Sequence, residues 1–143
     1  MFAVRRAKIE DAVAIAELNC DDLGYEYPLE KTTDKLEKAL GREQEAIFVA
    51  EYSGKVVGYI HACDYDVLYA PHMKDVLGIA VSNASRKMGI GAALLEAVEQ
   101  WARDTGASGI RLVSGSSRAG AHAFYRHCGY VDGKEQLNFK KIF

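Results

Sequence analysis

At 143 residues, with 49% hydrophobic and 27% charged side chains and only two prolines, the chain has the size and make-up of one globular domain. That excludes disordered, collagen-like and disulfide-scaffold classes. Eighteen Lys and Arg against 20 Asp and Glu leave a net charge of −2, too little positive field to predict a nucleic-acid partner.

Cys20, Cys63 and Cys128 are odd in number and contain no CxxC pair, so reduced thiols in a cytoplasmic protein are expected rather than disulfides or a zinc knuckle. Met1–Arg6 lacks an apolar stretch after its charges, and no long uncharged apolar window follows, so neither an export signal nor a membrane partner is expected.

Phe2–Arg6 alternates as a short strand. Asp11 is placed to cap a helix carrying Val13, Ile15, Ala16 and Leu18 and ending near Cys20. The segment 21–28, acidic and aromatic with Gly24 and Pro28 as breakers, reads as a loop. Leu29–Leu40 reads as a surface helix closed by Gly41. Ala46–Tyr52 and Val56–Cys63 are rich in β-branched and aromatic residues and flank Ser53-Gly54-Lys55, a hairpin signal. Asp64–His72 is irregular. Val76–Val81, almost continuously apolar, predicts a central strand covered on both faces.

Ser82–Ser85 leads into a long helix with Ile90, Leu94, Val98, Trp101 and Ala102 at helical spacing, stopped by Gly106. A strand over Gly109–Ser114, a helix over Arg118–Cys128 ended by Gly129, and a hairpin of Tyr130–Val131 with Leu137–Ile142 complete the chain. This order predicts an α/β (α+β) fold in a single domain, residues 1–143, with helices on both faces of a mixed sheet.

The richest stretch runs from Val81 through Arg86, Lys87, Met88, Gly89, Ile90, Gly91 and Ala92, a strand entering a helix whose first turn holds two glycines. Amides at a helix start lack intrahelical partners, the helix dipole favours negative charge there, and glycine lets an anion approach the backbone. Arg86 and Lys87 add two cations. A dinucleotide fingerprint would need glycine where Leu94 stands, and a P-loop would need Gly-Lys-Ser/Thr where Gly91-Ala92-Ala93 stands, so both fail.

Arg86-x-x-Gly89-x-Gly91 resembles the acetyl-coenzyme A signature of the GNAT superfamily of N-acetyltransferases, Gln/Arg-x-x-Gly-x-Gly/Ala. Ala121–Tyr130, reading Ala-His-Ala-Phe-Tyr-Arg-His-Cys-Gly-Tyr, is similar to that superfamily's last helix and its Ala-x-x-Phe-Tyr-x-x-x-Gly-Phe ending. The resemblance covers essentially the whole chain. It implies a mostly antiparallel sheet of about seven strands whose fourth and fifth splay apart to admit acetyl-CoA. The cosubstrate's pantetheine arm would pair with Ile79, Ala80 and Val81, and its pyrophosphate would meet the amides from Lys87 to Ala92 beside Arg86.

The same resemblance places Tyr125 near the thioester sulfur as general acid, with Arg118 and His122 at four- and three-residue spacings on the same helix face. Superfamily members often carry asparagine where Arg118 stands, which leaves the cofactor contact there open. A phenol at about 10 giving a proton to a thiolate at about 8.5 is uphill by about 2 kcal/mol. Either the site therefore lowers the phenol's pKa, or Tyr125 hydrogen-bonds the leaving thiolate.

A lysine-like amine, with a pKa of about 10.4, costs about 4.6 kcal/mol to deprotonate at pH 7, so a base is needed. The resemblance locates one at Asp75, six residues before Val81; burial at the start of the apolar run could raise its pKa. Aspartate is a methylene shorter than glutamate, so a bridging water is expected. Asp64, Asp66, His61 or a water chain remain alternatives.

The acceptor, a small-molecule or peptide amine, would meet Asp21, Asp22, Tyr25, Glu26, Tyr65 and Asp66, where charge and aromatic faces suit a cation. No metal is expected: His61 and Cys63 share a strand side near Asp64 and His72, but no compact ligand pair is present. The final hairpin could serve a homodimer. Competing readings are a non-catalytic acyl-CoA sensor on the same fold and a nucleotide-binding protein using the Gly89–Gly91 turn.

Overall fold

A computed structural model describes residues 1–143, which divide into two units, Met1–Leu112 and Val113–Phe143. In the first unit, strand-forming stretches build β1 (Phe2–Arg6), β2 (Glu45–Tyr52), β3 (Lys55–Tyr65), β4 (Met73–Val81) and β5 (Ile110–Leu112). They form one sheet in the order β1-β2-β3-β4-β5, antiparallel throughout except for the parallel β4–β5 pair. A parallel neighbour needs a crossover, and α3 (Ile90–Asp104) supplies it. Helices α1 (Ala12–Asp21) and α2 (Leu29–Leu40) lie between β1 and β2 in the chain.

Helices pack on both sheet faces, as expected, but β4 is not covered on both along its apolar run, because Leu77 stays 54% exposed. Ile15 and Leu18 of α1 and Leu36 and Ala39 of α2 share a core with Ile47, Val49, Tyr59 and Ala80. On the other face, α3 presses onto Gly58, where a Cβ would stand 3.1 Å from the Ala80 carbonyl oxygen and 3.2 Å from Ile90 Cγ2. The absence of a side chain at Gly58 lets the first turn of α3 seat on the sheet.

Lys74 is only 2% exposed, paired with Asp64 and lying 3.8 Å from the Trp101 ring centroid. A buried ammonium needs such compensation.

Strand β4 does not stop being a strand where it loses β5. The β4–β5 ladder consists of Lys74–Ile110, Asp75–Arg111 and Val76–Leu112, and β4 then continues to Val81 without β5 beside it. At the same height β4 bulges: His61 faces Gly78 and Ala62 faces Val76, which leaves Leu77 without a partner on β3.

Several boundaries differ from the sequence expectations. Strand β4 begins at Met73 rather than Val76, because Lys74 is a core residue through its ion pair and ring contact rather than a surface one. Strand β5 is shorter than Gly109–Ser114. Asp11 does not cap α1; its carboxylate accepts hydrogen bonds from both Arg5 Nη atoms, at 2.8 and 2.9 Å, and from the Lys8 amide.

The second unit holds α4 (Ala119–His127), and residues 129–143 contain no strand. The expected C-terminal hairpin is therefore not formed, and the sheet has five strands rather than about seven, with the fold class unchanged. Leu137, Phe139, Ile142 and Phe143 are exposed, so they bury too little apolar surface to offset the ordering of two isolated strands. No helix is long and apolar enough to cross a membrane.

Candidate functional site

The glycine-rich turn is built from unusual backbone. After β4, the Ser82 amide donates to the Val57 carbonyl at 2.8 Å, and Asn83–Ser85 form a single 3-10 turn. Lys87 then adopts φ 66° and Gly89, the N-cap of α3, φ 84°. Left-handed backbone at a non-glycine residue costs energy and concentrates where a loop must aim its amides. A Cβ on Gly89 would meet nothing within 4 Å, so glycine is required there by the dihedral and not by crowding.

No side chain caps α3, and its first intrahelical bond runs from Ala93 to the Gly89 carbonyl. The amides of Ile90, Gly91 and Ala92 are thus available to an anion, with exposed Arg86 and Lys87 beside them. Upstream, Ile79, Ala80 and Val81 lie on the stretch of β4 that β5 does not accompany. These features fit an extended chain ending in a diphosphate.

Asp75 lies where β4 and β5 still pair. Its Oδ1 is 3.0 Å from Arg111 Nη1, and the Arg111 guanidinium lies 4.2 Å from the centroid of the Tyr65 ring. Burial pushes the Asp75 carboxyl above the usual carboxylate range, while the Arg111 charge pulls the other way. Cys63, opposite Asp75 on β3, has its thiol raised by burial and by the nearby carboxylates of Asp75, Glu45 and Asp64.

Two of the alternative bases, His61 and Asp64, are engaged elsewhere. His61 Nε2 lies 2.7 Å from Glu45 Oε1, and Asp64 is held by Lys74 with His72 3.2 Å away.

The acidic and aromatic acceptor candidates do not gather at one point. Asp22 has its side chain buried and lies 3.9 Å from Arg86 of the glycine turn, whereas Asp21, Tyr25, Glu26 and Asp66 are exposed. Tyr65 joins Asp75 through Arg111, and its hydroxyl is 3.3 Å from that of Tyr69. Sequence reading missed Arg111. The available signal was a lone charge between Ile110 and Leu112 in an otherwise apolar strand.

In the second unit, Tyr125 packs between Phe124 and Tyr130, with centroids at 5.4 and 6.2 Å, and its carbonyl accepts the Tyr130 amide. Burial raises the phenol's pKa, and the Arg118 charge only partly opposes this. His122 donates from Nε2 to the Gly115 carbonyl at 2.8 Å. That contact closes the loop ahead of α4.

The sequence matches the Acetyltransferase (GNAT) family over residues 12–130. It is 30% identical over 142 residues to aminoglycoside N(6')-acetyltransferase type 1 of Stenotrophomonas maltophilia, spanning 96% of this chain and 91% of that protein.

The fold is shared with aminoglycoside N-acetyltransferase AAC(6')-Iy, crystallised in complex with CoA. The TM-score is 0.89 at 16% identity, over 99% of this chain and 95% of the other. It is shared equally with a transcriptional regulator from Bacillus halodurans C-125, at TM-score 0.88 and 19% identity, over 99% and 100% of the two chains. The chain is therefore an acyltransferase-fold protein of the GNAT acetyltransferase family.

Proposed function

We propose that the protein transfers an acetyl group from acetyl-CoA to a primary amine of a small cationic molecule, by direct attack of the amine on the thioester. The observation that carries this reading is the continuity of β4's unaccompanied stretch, Leu77–Val81, with the left-handed turn at Lys87 and Gly89 and the uncapped start of α3. The family match spans 12–130, across both units, which supports treating residues 1–143 as one catalytic domain.

Acetyl-CoA supplies the acyl carbon and a thiolate leaving group. Arg86, Lys87 and the amides through Ala92 serve its diphosphate, and Ile79–Val81 its extended arm.

Asp75 is the proposed proton acceptor from the amine. It acts directly or through one water, and its raised pKa brings it nearer to the working pH than an exposed aspartate. Burial makes the Tyr125 phenol harder to ionise than usual, which favours the hydrogen-bonding role over prior loss of its proton. Its role is a protonated hydrogen-bond donor to the departing sulfur, with the Arg118 charge acting on it.

A polyamine or aminoglycoside-type acceptor suits the ring of Tyr65 beside the Asp75–Arg111 pair, and the 30%-identical relative is named for an aminoglycoside amine. Asp22, paired with Arg86, is better assigned to steadying the glycine turn.

Titration calorimetry with acetyl-CoA, followed by thiol release over aminoglycosides, polyamines, amino acids and peptides, tests the proposal. Heat of binding with thiol release on cationic amines is the expected result. Heat without thiol release from any amine would favour an acyl-CoA-sensing module, and tighter binding of ATP or NAD than of coenzyme A would overturn the reading.

A further inference from the structure

Resting on the reading of Asp75 as proton acceptor, we infer that Arg111 is the positioning residue of that carboxylate: it fixes one oxygen and leaves the other for the amine. The two residues are direct partners in the last part of the β4–β5 ladder, one step before the strands part at Val76 and Leu112. The Asp75 carboxylate is thus anchored at the edge of the opening. Arg111 Nη1 engages Oδ1 at 3.0 Å.

Arg111 is itself fixed. Its guanidinium lies 4.2 Å from the Tyr65 ring centroid, and Tyr65 is tied through its hydroxyl to Tyr69 in the β3–β4 connection. A planar cation stacked on a ring loses less freedom in holding one geometry than a lysine ammonium would. Asp75 and Arg111 are only 20% and 26% exposed at their side chains, so the pair is shielded from bulk screening.

The other titratable groups facing Asp75 are Cys63 and Tyr65 on β3, with Glu45 of β2 one strand beyond Cys63. All three are acids. Arg111 is therefore the cation at this carboxylate, and its charge favours the ionised form of Asp75 against burial.

The test is a carboxyl-carbon NMR titration of Asp75, its resonance assigned by loss in Asp75→Asn, in the wild type, Arg111→Gln and Arg111→Lys. An opposite charge this close is worth at least tenfold in the ionisation constant. Arg111→Gln is expected to raise the Asp75 midpoint by that factor, and Arg111→Lys, which keeps the charge, to return most of it. In the same variants the acid limb of kcat/KM, measured with acetyl-CoA and neamine, should move upward with the midpoint.

An unmoved midpoint in a folded Arg111→Gln overturns the inference, as does a lysine variant that behaves like the glutamine one. If Arg111→Gln does not fold, Tyr65→Leu decides: freeing the guanidinium from its ring should raise the Asp75 midpoint, and an unchanged midpoint in the folded variant overturns the inference. The base reading is tested apart by Asp75→Asn. Unchanged kcat there, with the midpoint shift present, removes the proton-acceptor role while the pairing stands.

Discussion

Individual side chains in this protein are governed by who shares their burial. Asp11 is the plainest case: almost fully buried, it is held by two nitrogens of Arg5, which also reaches Glu51 at 2.7 Å. The Arg5 hydrogen bonds draw the Asp11 pKa below the usual carboxylate range. A depressed native pKa means stability that is present above the unfolded value and lost as pH falls through the native one. Asp11→Asn should cost about 1.5–3 kcal/mol at pH 7. Denaturant melts of both proteins should converge as the pH falls below about 4.

Tyr125 is argued the same way toward function. A phenol kept protonated by burial can donate but not ionise, so Tyr125→Phe should lower kcat about 100-fold and leave acetyl-CoA affinity unchanged. Steady-state kinetics with a thiol reagent would check it. Neither the Asp22–Arg86 contact nor the Asp75–Arg111 pair was legible in the sequence, because each joins positions whose proximity only the fold creates.

Between elements, the decisive contact is the seating of α3 on the sheet. At Gly58 an added methyl would drive into the Ala80 carbonyl, which is backbone, and into Ile90 in the first turn of α3. Gly58→Ala should destabilise the protein by about 1–3 kcal/mol. It should also displace the helix start enough to weaken acetyl-CoA binding, to be read by thermal denaturation and calorimetry. Gly89→Ala differs: nothing crowds a Cβ there, so its cost is the left-handed dihedral alone, about 1–2 kcal/mol. If that cost falls on the conformation able to bind, affinity should drop about tenfold while the melting temperature moves by only a few degrees.

The element pattern itself was largely readable. The β-branched and aromatic content of β2 and β3 marked them as strands, and the helical spacing of Ile90, Leu94, Val98 and Trp101 reflects the one-sided burial of α3, which leaves a periodic trace. The start of β4 was not readable, because a lysine makes a core position only when Asp64 and Trp101 are brought to it. Leu137–Ile142 shows the converse: a strand-like stretch stays irregular where no neighbouring strand pairs with it.

For the whole molecule, a net charge of −2 supplies no broad positive field, so attraction for a bound diphosphate is left to local cations such as Arg86 and Lys87. Raising the salt concentration should weaken acetyl-CoA binding only modestly, without the orders-of-magnitude loss typical of proteins that track a nucleic-acid backbone. The short β4–β5 ladder also has a consequence for how the protein wears in use. Amides from Leu77 to Val81 are secured only on the β3 side, so deuterium should enter there sooner than in β2 or β3. A molecule laid along that strand closes the seam and adds its binding energy to the native state, about 2.7 kcal/mol at a concentration one hundred times its dissociation constant. The protein would then be hardest to unfold while working, and its resistance to heat and proteases would rise and fall with the cell's supply of acyl donor.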